Sequence, residues 1–401
     1  MSLSTVLLKP GEADRVVAGH PWVYSSSILR LSTPASDGDV VQVKDHRQRL
    51  IGVGFYNSRS KIAVRVLDPD RIEVNQAFFE QRIQAALNFR KRHQPGVSSF
   101  RVVNAEGDFL SGLIVDKYED VLVVQTSSLG MERHKSEIVG ALKKLLSPKA
   151  IVERNDIASR KFEGLEDSNE VLFGSLPEGG KTSAVLSGLK FEVDLKTGHK
   201  TGLYLDQQLN HAAVARYAKG ADVLDTFTFL GGFALHAAKA GARHVIGLDQ
   251  SADAIAAAKR HAEVNGLTGN CSFEVGNVFD WLKAATLSKE GAKPVPRFDL
   301  IILDPPSFTR NRASVPDALR GYKEIHLRAL KLLKPGGILA TFCCSHHVPG
   351  TLFLDTFMAA AFDAHKIVRQ VAFYSQSPDH PIVPMIPETE YLKGFAFELV
   401  R

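Results

Sequence analysis

Cysteine is scarce in this sequence. Three are present among 401 residues, and two of them, Cys343 and Cys344, are adjacent. Because a disulfide framework needs more cysteines at wider spacings, we expect no disulfides and a reducing, cytoplasmic environment. No run approaches the roughly 18 uninterrupted apolar residues of a membrane helix, and the first residues lack the basic start and long apolar run of a signal peptide. The sequence therefore predicts a cytoplasmic protein with no membrane partner.

Net charge of one sign is also small. Lys and Arg number 49 against 44 Asp and Glu, which leaves +5, too little to mark the whole chain as a nucleic-acid binder. The positive charge is nevertheless clustered. Residues 81–105 hold five cations and no acid, and residues 309–334 hold seven cations and two acids. The cluster at residues 81–105 is typical of either a solvated helix face or a surface that binds RNA.

The length predicts two or three domains, and the pattern of the chain changes twice. Residues 1–72 read as short strands with turn signals, which favours a small all-β barrel. Residues 73–182 begin with a helical period and continue as a small α+β unit. Residues 183–401 alternate apolar strands with amphipathic helices, which predicts a parallel sheet covered by helices on both faces. The last two apolar runs, 367–374 and 395–400, predict an antiparallel closing pair.

A glycine turn follows the first strand of that last segment. It begins at Asp225, ends at Gly231 and Gly232, and leads into a helix, so backbone N–H groups can approach a ligand there. The next strand ends at Asp249, 24 residues after Asp225, where a carboxylate can accept hydrogen bonds from ribose hydroxyls. The pattern predicts a nucleoside cofactor. Two adjacent glycines in place of Gly-x-Gly-x-x-Gly argue against a dehydrogenase, and the acid at the start of the loop suits a cationic ammonium better than a pyrophosphate.

A second motif, Asp304-Pro305-Pro306-Ser307-Phe308, follows a later apolar strand. The two prolines remove backbone donors and stiffen the loop, so they hold the Asp304 carboxylate at the carboxyl edge of the sheet, where ligands of α/β proteins bind. Methyltransferases that act on amino groups usually carry an aromatic residue directly after the prolines. Here Ser307 intervenes, which disfavours that chemistry.

The next strand ends in the adjacent cysteines, on the same predicted edge as Asp304. A thiolate there is a candidate nucleophile. Strand alternation points Cys343 and Cys344 to opposite sides, so we expect at most one of them to face the site. We interpret Cys271 as a small buried apolar residue. The neighbouring histidines, His346 and His347, lack spaced partners, so no metal site is predicted.

These motifs together resemble a known group, the RlmI-type S-adenosylmethionine-dependent 23S ribosomal RNA cytosine-5 methyltransferases, which carry an N-terminal PUA RNA-binding domain. The resemblance covers nearly the whole chain. Its matching segments are Gly19–Trp22, Gly52–Asn57, Val103–Asp108, Gly112–Asp116, Glu153–Asp156, Lys200–Gln207, Asp225–Gly232, Asp304–Phe308, Cys344–His347 and Asp379–Pro381.

The resemblance implies an α/β fold: a Rossmann-like class I methyltransferase domain with a seven-stranded mixed sheet, preceded by a small all-β PUA-like barrel and a small α+β central domain. It implies that Cys344 is the nucleophile and Asp304 the catalytic acid. Asn277 stands where an acid is common in this group, and its amide can still hydrogen-bond adenine. The residues expected to bind S-adenosylmethionine are Tyr204, Asp206, Gln207, Asp225, Thr226, Phe227, Thr228, Gly231, Gly232, Asp249, Gln250, Asn277, Val278 and Asp304.

The implied partner is the 23S ribosomal RNA of the large subunit. We expect Arg310 and Arg312, which follow the Asp304 loop, and Lys200 to contact that RNA. Members of the group often form dimers, so a homodimer is also implied. Two other functions remain open at this point: methylation of a guanine or adenine nitrogen in ribosomal RNA on the same fold, and RNA binding without catalysis. A metabolite dehydrogenase is the least favoured.

Overall fold

The computed structural model describes residues 3–196, 202–287, 297–309 and 311–401. Their contacts divide the chain into two compact units. The first unit comprises residues 1–186, 192–205 and 378–389, and the second comprises residues 187–191, 206–377 and 390–401. The chain therefore leaves and re-enters each unit. The three consecutive domains expected from the sequence stay a prediction.

The first unit begins with a six-stranded sheet. Its strands are β1 (Thr5–Leu8), β2 (Trp22–Tyr24), β3 (Ile28–Leu31), β4 (Val40–Lys44), β5 (Leu50–Tyr56) and β6 (Ile62–Asp68), and a short helix, α1 (Asp14–Val17), follows β1. The strand order is β2-β6-β5-β4-β1-β3, with β1 and β4 parallel. Alternate residues of β4 are buried because one face of the sheet covers a valine-rich core. The predicted all-β start of the chain is confirmed.

The remainder of the first unit contains a five-stranded sheet and three helices. These elements are α2 (Gln76–His93), β7 (Phe100–Asn104), β8 (Leu113–Tyr118), β9 (Val121–Thr126), α3 (Leu129–Arg133), α4 (Lys135–Leu146), β10 (Ala150–Glu153) and β11 (Val171–Gly174). The strand order is β11-β10-β9-β8-β7. Asn75 caps α2 by accepting a hydrogen bond from the Phe78 N–H, a favourable helix start. Every residue of β9 is buried, as expected for a strand that carries the apolar run Val121–Val124 and is covered on both faces.

The arginines of the basic cluster at 81–105 are largely paired within this unit. The pairs are Arg82 with Asp68, Arg90 with Asp108, and Arg101 with Asp116. Arg90 is only 2% exposed, and its guanidinium also donates to the Asp379 carbonyl at 2.7 Å. Lys91 and Arg92 stay exposed. Most of this cluster is therefore structural, because removing one partner of a buried ion pair costs about 3–5 kcal/mol.

Residues 378–389 explain why the second unit is interrupted. The Asp379 carboxylate, fully buried, accepts a hydrogen bond from the Arg101 N–H at 2.9 Å. Glu388 accepts hydrogen bonds from Arg15 at 2.7 Å and His20 at 2.9 Å. The Asp379-His380-Pro381 motif, which the resemblance places in the catalytic part, thus belongs to the first unit.

After β11 in sequence, β12 (Lys181–Leu186) and β13 (Leu189–Asp194) pair as a two-stranded hairpin. The sequence analysis did not identify it. The alternation of buried and exposed residues in β13 is regular, so period-2 patterning was a usable signal.

The second unit is built on a seven-stranded mixed sheet. Its elements are α5 (Gln208–Ala215), β14 (Asp222–Thr226), α6 (Gly232–Lys239), β15 (His244–Asp249), α7 (Ala252–Val264), β16 (Cys271–Val275), α8 (Val278–Thr286), β17 (Phe298–Leu303), α9 (Val315–Leu332), β18 (Leu333–Cys343), α10 (Gly350–Asp363), β19 (Val368–Ser375) and β20 (Lys393–Leu399). The strand order is β16-β15-β14-β17-β18-β20-β19. β14 to β18 are parallel, and β20 is antiparallel to both of its neighbours. The predicted antiparallel closing pair is confirmed.

This sheet order creates a switch point. The chain runs outward from β14 to β15 and β16, then returns to add β17 and β18 on the other side. The carboxyl ends of β14 and β17 therefore flank a crevice, where open α/β sheets bind ligands. In register, Thr226 of β14 lies opposite Leu303 of β17, so Asp225 and Asp304 come to the same edge.

Candidate active site

The loop after β14 is shaped by the side chain of Asp225. One carboxylate oxygen, Oδ2, accepts hydrogen bonds from Thr228 Oγ1 at 2.6 Å and from the Ala234 N–H at 2.9 Å. These bonds join the loop to the first turn of α6. Gly231 adopts φ 88°, in the left-handed region that glycine enters without steric cost. Phe227 and Phe229 also have positive φ, 60° and 49°, which for a residue with a side chain is a strained conformation typical of functional loops.

The other oxygen of Asp225 is buried and has no hydrogen-bond partner. Burial, with a further contribution from the Asp249 charge, raises the pKa of Asp225 to about 7. Asp206 is similar: its Oδ2 accepts from the Tyr391 hydroxyl at 2.6 Å, while its Oδ1 is buried without a partner. Two buried acceptors at this edge are thus available to donors of a ligand, particularly cationic ones.

Asp249 lies at the carboxyl end of β15 and is partly exposed. Its two oxygens accept from the N–H groups of Phe229 and Ser251, each at 2.9 Å. These bonds fix the orientation of the carboxylate and leave a lone pair on each oxygen, as a ribose diol requires. Asn277 is instead the N-cap of α8, with Oδ1 accepting from the N–H groups of Phe279 and Asp280. Its remaining polar function is the amide NH₂ donor.

The residues present fit S-adenosylmethionine. That molecule carries an ammonium group and two ribose hydroxyls, all hydrogen-bond donors. The unpartnered oxygens of Asp225 and Asp206 and the oriented Asp249 carboxylate supply matching acceptors. The Asn277 side-chain oxygen is already used as the cap of α8, and its NH₂ group remains available to donate to an adenine ring nitrogen.

Several residues expected to bind the cofactor use their side chains within the protein instead. Thr226 is fully buried and donates to the Ile302 carbonyl at 2.8 Å, across the sheet. Thr228 is committed to Asp225, and Val278 packs in the core. Their side chains therefore stabilise the walls of the crevice. Tyr204 lies in the first unit, with 42% of its surface exposed.

Of the other residues expected to bind the cofactor, Gln207 is hydrogen-bonded to the carboxyl group of Asp304. The Gln207 Nε2 donates to Asp304 Oδ1 at 3.0 Å, and Asn210 Nδ2 donates to Gln207 Oε1 at 2.6 Å. Gln207 is thus held in one orientation, as a donor toward the carboxyl group. Gln250 is exposed at the start of the loop after β15, and Gly232 begins α6.

The carboxyl group of Asp304 is strongly perturbed. Burial, followed by the charges of Asp206 and Asp225, raises its pKa to about 8. At neutral pH this group therefore holds its proton in the cofactor-free protein. A protonated carboxyl group can donate a hydrogen bond, which an ionised one cannot.

The two adjacent cysteines differ in their surroundings. Cys343 is fully buried in the apolar core, whereas Cys344 is partly exposed. The Cys344 sulfur lies 3.9 Å from the Pro305 carbonyl oxygen, so the thiol adjoins the loop that carries Asp304. Thr309, at the far end of that loop, hydrogen-bonds to Ser345. Cys271 is buried, and burial raises the pKa of its thiol to about 12, which makes it unreactive at neutral pH.

The predicted RNA contacts are only partly within the described residues. Arg312 is exposed at the start of the short 3₁₀ turn that precedes α9, and Asn311 and Ser314 form a capping box around it. Lys200 and Arg310 lie outside the described residues.

The sequence analysis missed five polar residues that organise this site: Asn210, Thr309, Ser345, Tyr391 and Lys393. Tyr391 and Lys393 reach it from the other end of the second unit's chain, so no local motif could identify them. Across the described ranges, no three His, Cys, Asp or Glu side chains converge as a metal site. Within those same ranges, no helix has the length and apolar character to cross a membrane.

Comparisons with known proteins agree with this geometry. A family model for a PUA-like domain matches residues 6–69, and a model for S-adenosylmethionine-dependent methyltransferases matches residues 166–386. Proteins named ribosomal RNA large subunit methyltransferase I are similar over nearly the whole length. The one from Pseudoalteromonas atlantica is 40% identical, covering 98% of each chain, and one from Klebsiella pneumoniae is 36% identical, covering 98% of this chain and 97% of its own.

Solved structures share the fold. A candidate S-adenosylmethionine-dependent methyltransferase from Streptococcus mutans superposes with a TM-score of 0.80 at 21% identity, covering 99% of this chain and 100% of its own. The structure of a second candidate methyltransferase, complexed with S-adenosylhomocysteine, has the same TM-score at 22% identity and covers 99% of this chain and 100% of its own. The chain, whose cofactor is S-adenosylmethionine, therefore belongs to the S-adenosylmethionine-dependent methyltransferase family that includes the ribosomal RNA large subunit methyltransferase I proteins.

Proposed function

We propose that this protein methylates C5 of a cytosine in the 23S ribosomal RNA of the large subunit, with Cys344 as the nucleophile. The observation that carries the proposal is the convergence of the Cys344 thiol and the Asp304 carboxyl group at one sheet edge. The Cys344 sulfur lies 3.9 Å from the Pro305 carbonyl, directly after Asp304. The names of the full-length relatives support ribosomal RNA as the substrate, and a cytoplasmic location follows from that substrate.

C5 of cytosine is a poor nucleophile and must be activated. In the proposed mechanism the Cys344 thiolate forms a bond to C6, and the electron pair of the C5–C6 double bond moves toward N3 and C5. Asp304, whose raised pKa keeps it protonated, hydrogen-bonds N3 and stabilises that charge. Gln207 orients the carboxyl group. S-adenosylmethionine, when bound, supplies an electrophilic methyl group on a sulfonium.

The later steps restore the aromatic ring. Once C5 carries the methyl group, loss of the C5 proton to a base returns an electron pair to the ring, and the C6–S bond breaks to release the Cys344 thiolate. The target cytosine must leave its stack in the RNA so that its C6 can reach the thiol and its C5 can reach the methyl donor. Arg312, exposed close to the Asp304 loop in sequence, and Arg310 and Lys200 are proposed to bind the RNA backbone. The PUA-like domain of residues 6–69 is proposed to add RNA affinity.

The test combines a variant with product analysis. Cys344→Ala should abolish methyl transfer to 23S ribosomal RNA from a strain lacking the modification, while S-adenosylmethionine binding by calorimetry stays close to that of the wild type. Cys343→Ala, altered at the buried neighbour, is the matched control and should retain activity. Mass spectrometry of the nucleosides should show 5-methylcytosine. A methylated guanine or adenine, or full activity in Cys344→Ala, would contradict the proposal.

A further inference from the structure

A buried lysine lies beside the two cysteines. Lys393 is the first residue of β20 and only 6% exposed. Its Cα pairs in register with that of Cys343 on β18, and its ammonium donates to the Ser345 carbonyl at 2.7 Å. Lysine is seldom buried without a charged partner. The bond to Ser345 fixes the ammonium next to the residue that follows Cys344.

Among the residues that the structure describes, the groups whose charges act on this ammonium are the two thiols and the Glu390 carboxylate. Burial lowers the pKa of Lys393. The charges of Cys343, Cys344 and Glu390 oppose this effect and only partly offset it. The Tyr322 hydroxyl of α9 interacts electrostatically with both thiols and with Asp304 at the end of β17. Burial, with Cys343 next, raises the pKa of Tyr322, so the phenol stays neutral, and Asp304 is protonated below about pH 8. At neutral pH the ammonium therefore meets no competing fixed charge from these two groups.

We propose that Lys393 is the positioning residue whose ammonium stabilises the Cys344 thiolate, the form in which the cysteine attacks C6. The proposal rests on the function proposed above, in which the Cys344 thiolate is the nucleophile. Its physical basis is independent: a cation held in a poorly hydrated place lowers the free energy of a neighbouring thiolate more than it would in water. Lys393 itself forms no bond to the substrate. Its hydrogen bond to the Ser345 carbonyl also orients the chain segment that carries the thiol.

The test measures thiolate formation without RNA or cofactor. The rate at which iodoacetamide alkylates Cys344 is measured as a function of pH in a Cys343→Ala protein. Tandem mass spectrometry identifies the alkylated residue. In Lys393→Met the pH midpoint should rise by at least about one unit, so that alkylation at pH 7 slows roughly tenfold. Lys393→Arg keeps the cation and should stay near the starting midpoint. Ser345→Ala, which removes the hydroxyl bonded to Thr309 but keeps the carbonyl, should also leave the midpoint in place. An unchanged midpoint in Lys393→Met overturns the proposal.

A reciprocal measurement keeps the test decisive should Lys393→Met not fold. The Lys393 signal is followed by NMR in protein labelled with ¹³C at the lysine ε-carbon, and it is assigned by its loss in Lys393→Arg. If thiolate and ammonium stabilise each other, Cys344→Ala must lower the pH midpoint of Lys393. An equal midpoint in wild type and Cys344→Ala overturns the proposal. Neither measurement involves methyl transfer, so failure of the proposed function, such as activity in Cys344→Ala, is seen separately.

Discussion

Replacing Asp304 by asparagine tests the protonated carboxyl group directly. The pKa of Asp304 is raised from 3.8 to about 8 by burial and by the Asp206 and Asp225 carboxylates. Because the folded protein binds this proton more tightly than the unfolded chain, the contribution of Asp304 to stability is fully present below about pH 4. It declines as pH rises and is lost above about pH 8. Asp304→Asn removes the ionisation and should therefore be more stable than the wild type at alkaline pH.

The magnitude follows from the size of the shift. About four pH units at ~1.4 kcal/mol each give an upper bound of ~6 kcal/mol for the cost of ionising Asp304 in the folded protein at pH 9. Because part of the Asp304 residue is exposed to solvent, screening reduces the expected difference to about 2–3 kcal/mol. Below about pH 4 the difference between the two proteins should shrink to the change in hydrogen bonding alone, about 1 kcal/mol.

The assay is urea unfolding of the cofactor-free protein at pH 6, 7.5 and 9. The control variant is Asp299→Asn, which removes a carboxylate at the opposite end of β17 that is paired with Lys334. The stability of Asp304→Asn relative to wild type should increase between pH 6 and about pH 8 and then level off. Methyl transfer by the wild type should fall about tenfold per pH unit above pH 8 as the proton is lost. A wild-type stability that does not decline relative to Asp304→Asn between pH 6 and 9 would refute the protonated state.

Three further changes test other parts of the site. Asp249→Ala should weaken S-adenosylmethionine binding by about tenfold or more, since it removes the oriented carboxylate and releases the Phe229 N–H; calorimetry with unchanged affinity would exclude Asp249 as a ligand. Gly232→Ala should weaken the same binding and lower the melting temperature, because its Cβ would lie 2.6 Å from the His211 ring; a melting curve and affinity like those of wild type would show that the ring moves freely. Reversing charge at Arg310 and Arg312 together should weaken RNA binding and flatten its salt dependence; an unchanged slope in filter binding at several salt concentrations would rule out contact there.

Much of the site was predictable because it lies where strands end. Asp225, Asp249 and Asp304 each follow or terminate an apolar strand, and parallel strands carry such residues to a common edge. The family resemblance indicated Cys344 as the nucleophile, but strand alternation alone left open which of the two thiols faces the site. Only the packed sheet shows that Cys343 faces the core, since residue type and spacing are the same for both thiols.

Charge illustrates what local sequence cannot determine. The cluster at 81–105 contains no acid, yet Asp68, Asp108 and Asp116 neutralise three of its arginines. Ion pairs form between residues that folding brings together, so a window of sequence misjudges their net charge. The second cluster begins in the Asp304 loop, and its Arg312 is exposed.

The sequence by itself determined the class of fold, a nucleoside cofactor and the candidate residues at the strand ends, because hydrophobic periodicity and short motifs are local properties of the chain. The resemblance to a known family narrowed the cofactor to S-adenosylmethionine. The tertiary structure decided which groups act on those residues. Tyr391 and Lys393 reach Asp206 and Ser345 across 185 and 48 residues of chain, and the proton on Asp304 depends on burial and on two distant carboxylates. Hydrogen-bond partners and desolvation arise from packing, and packing has no local sequence signal.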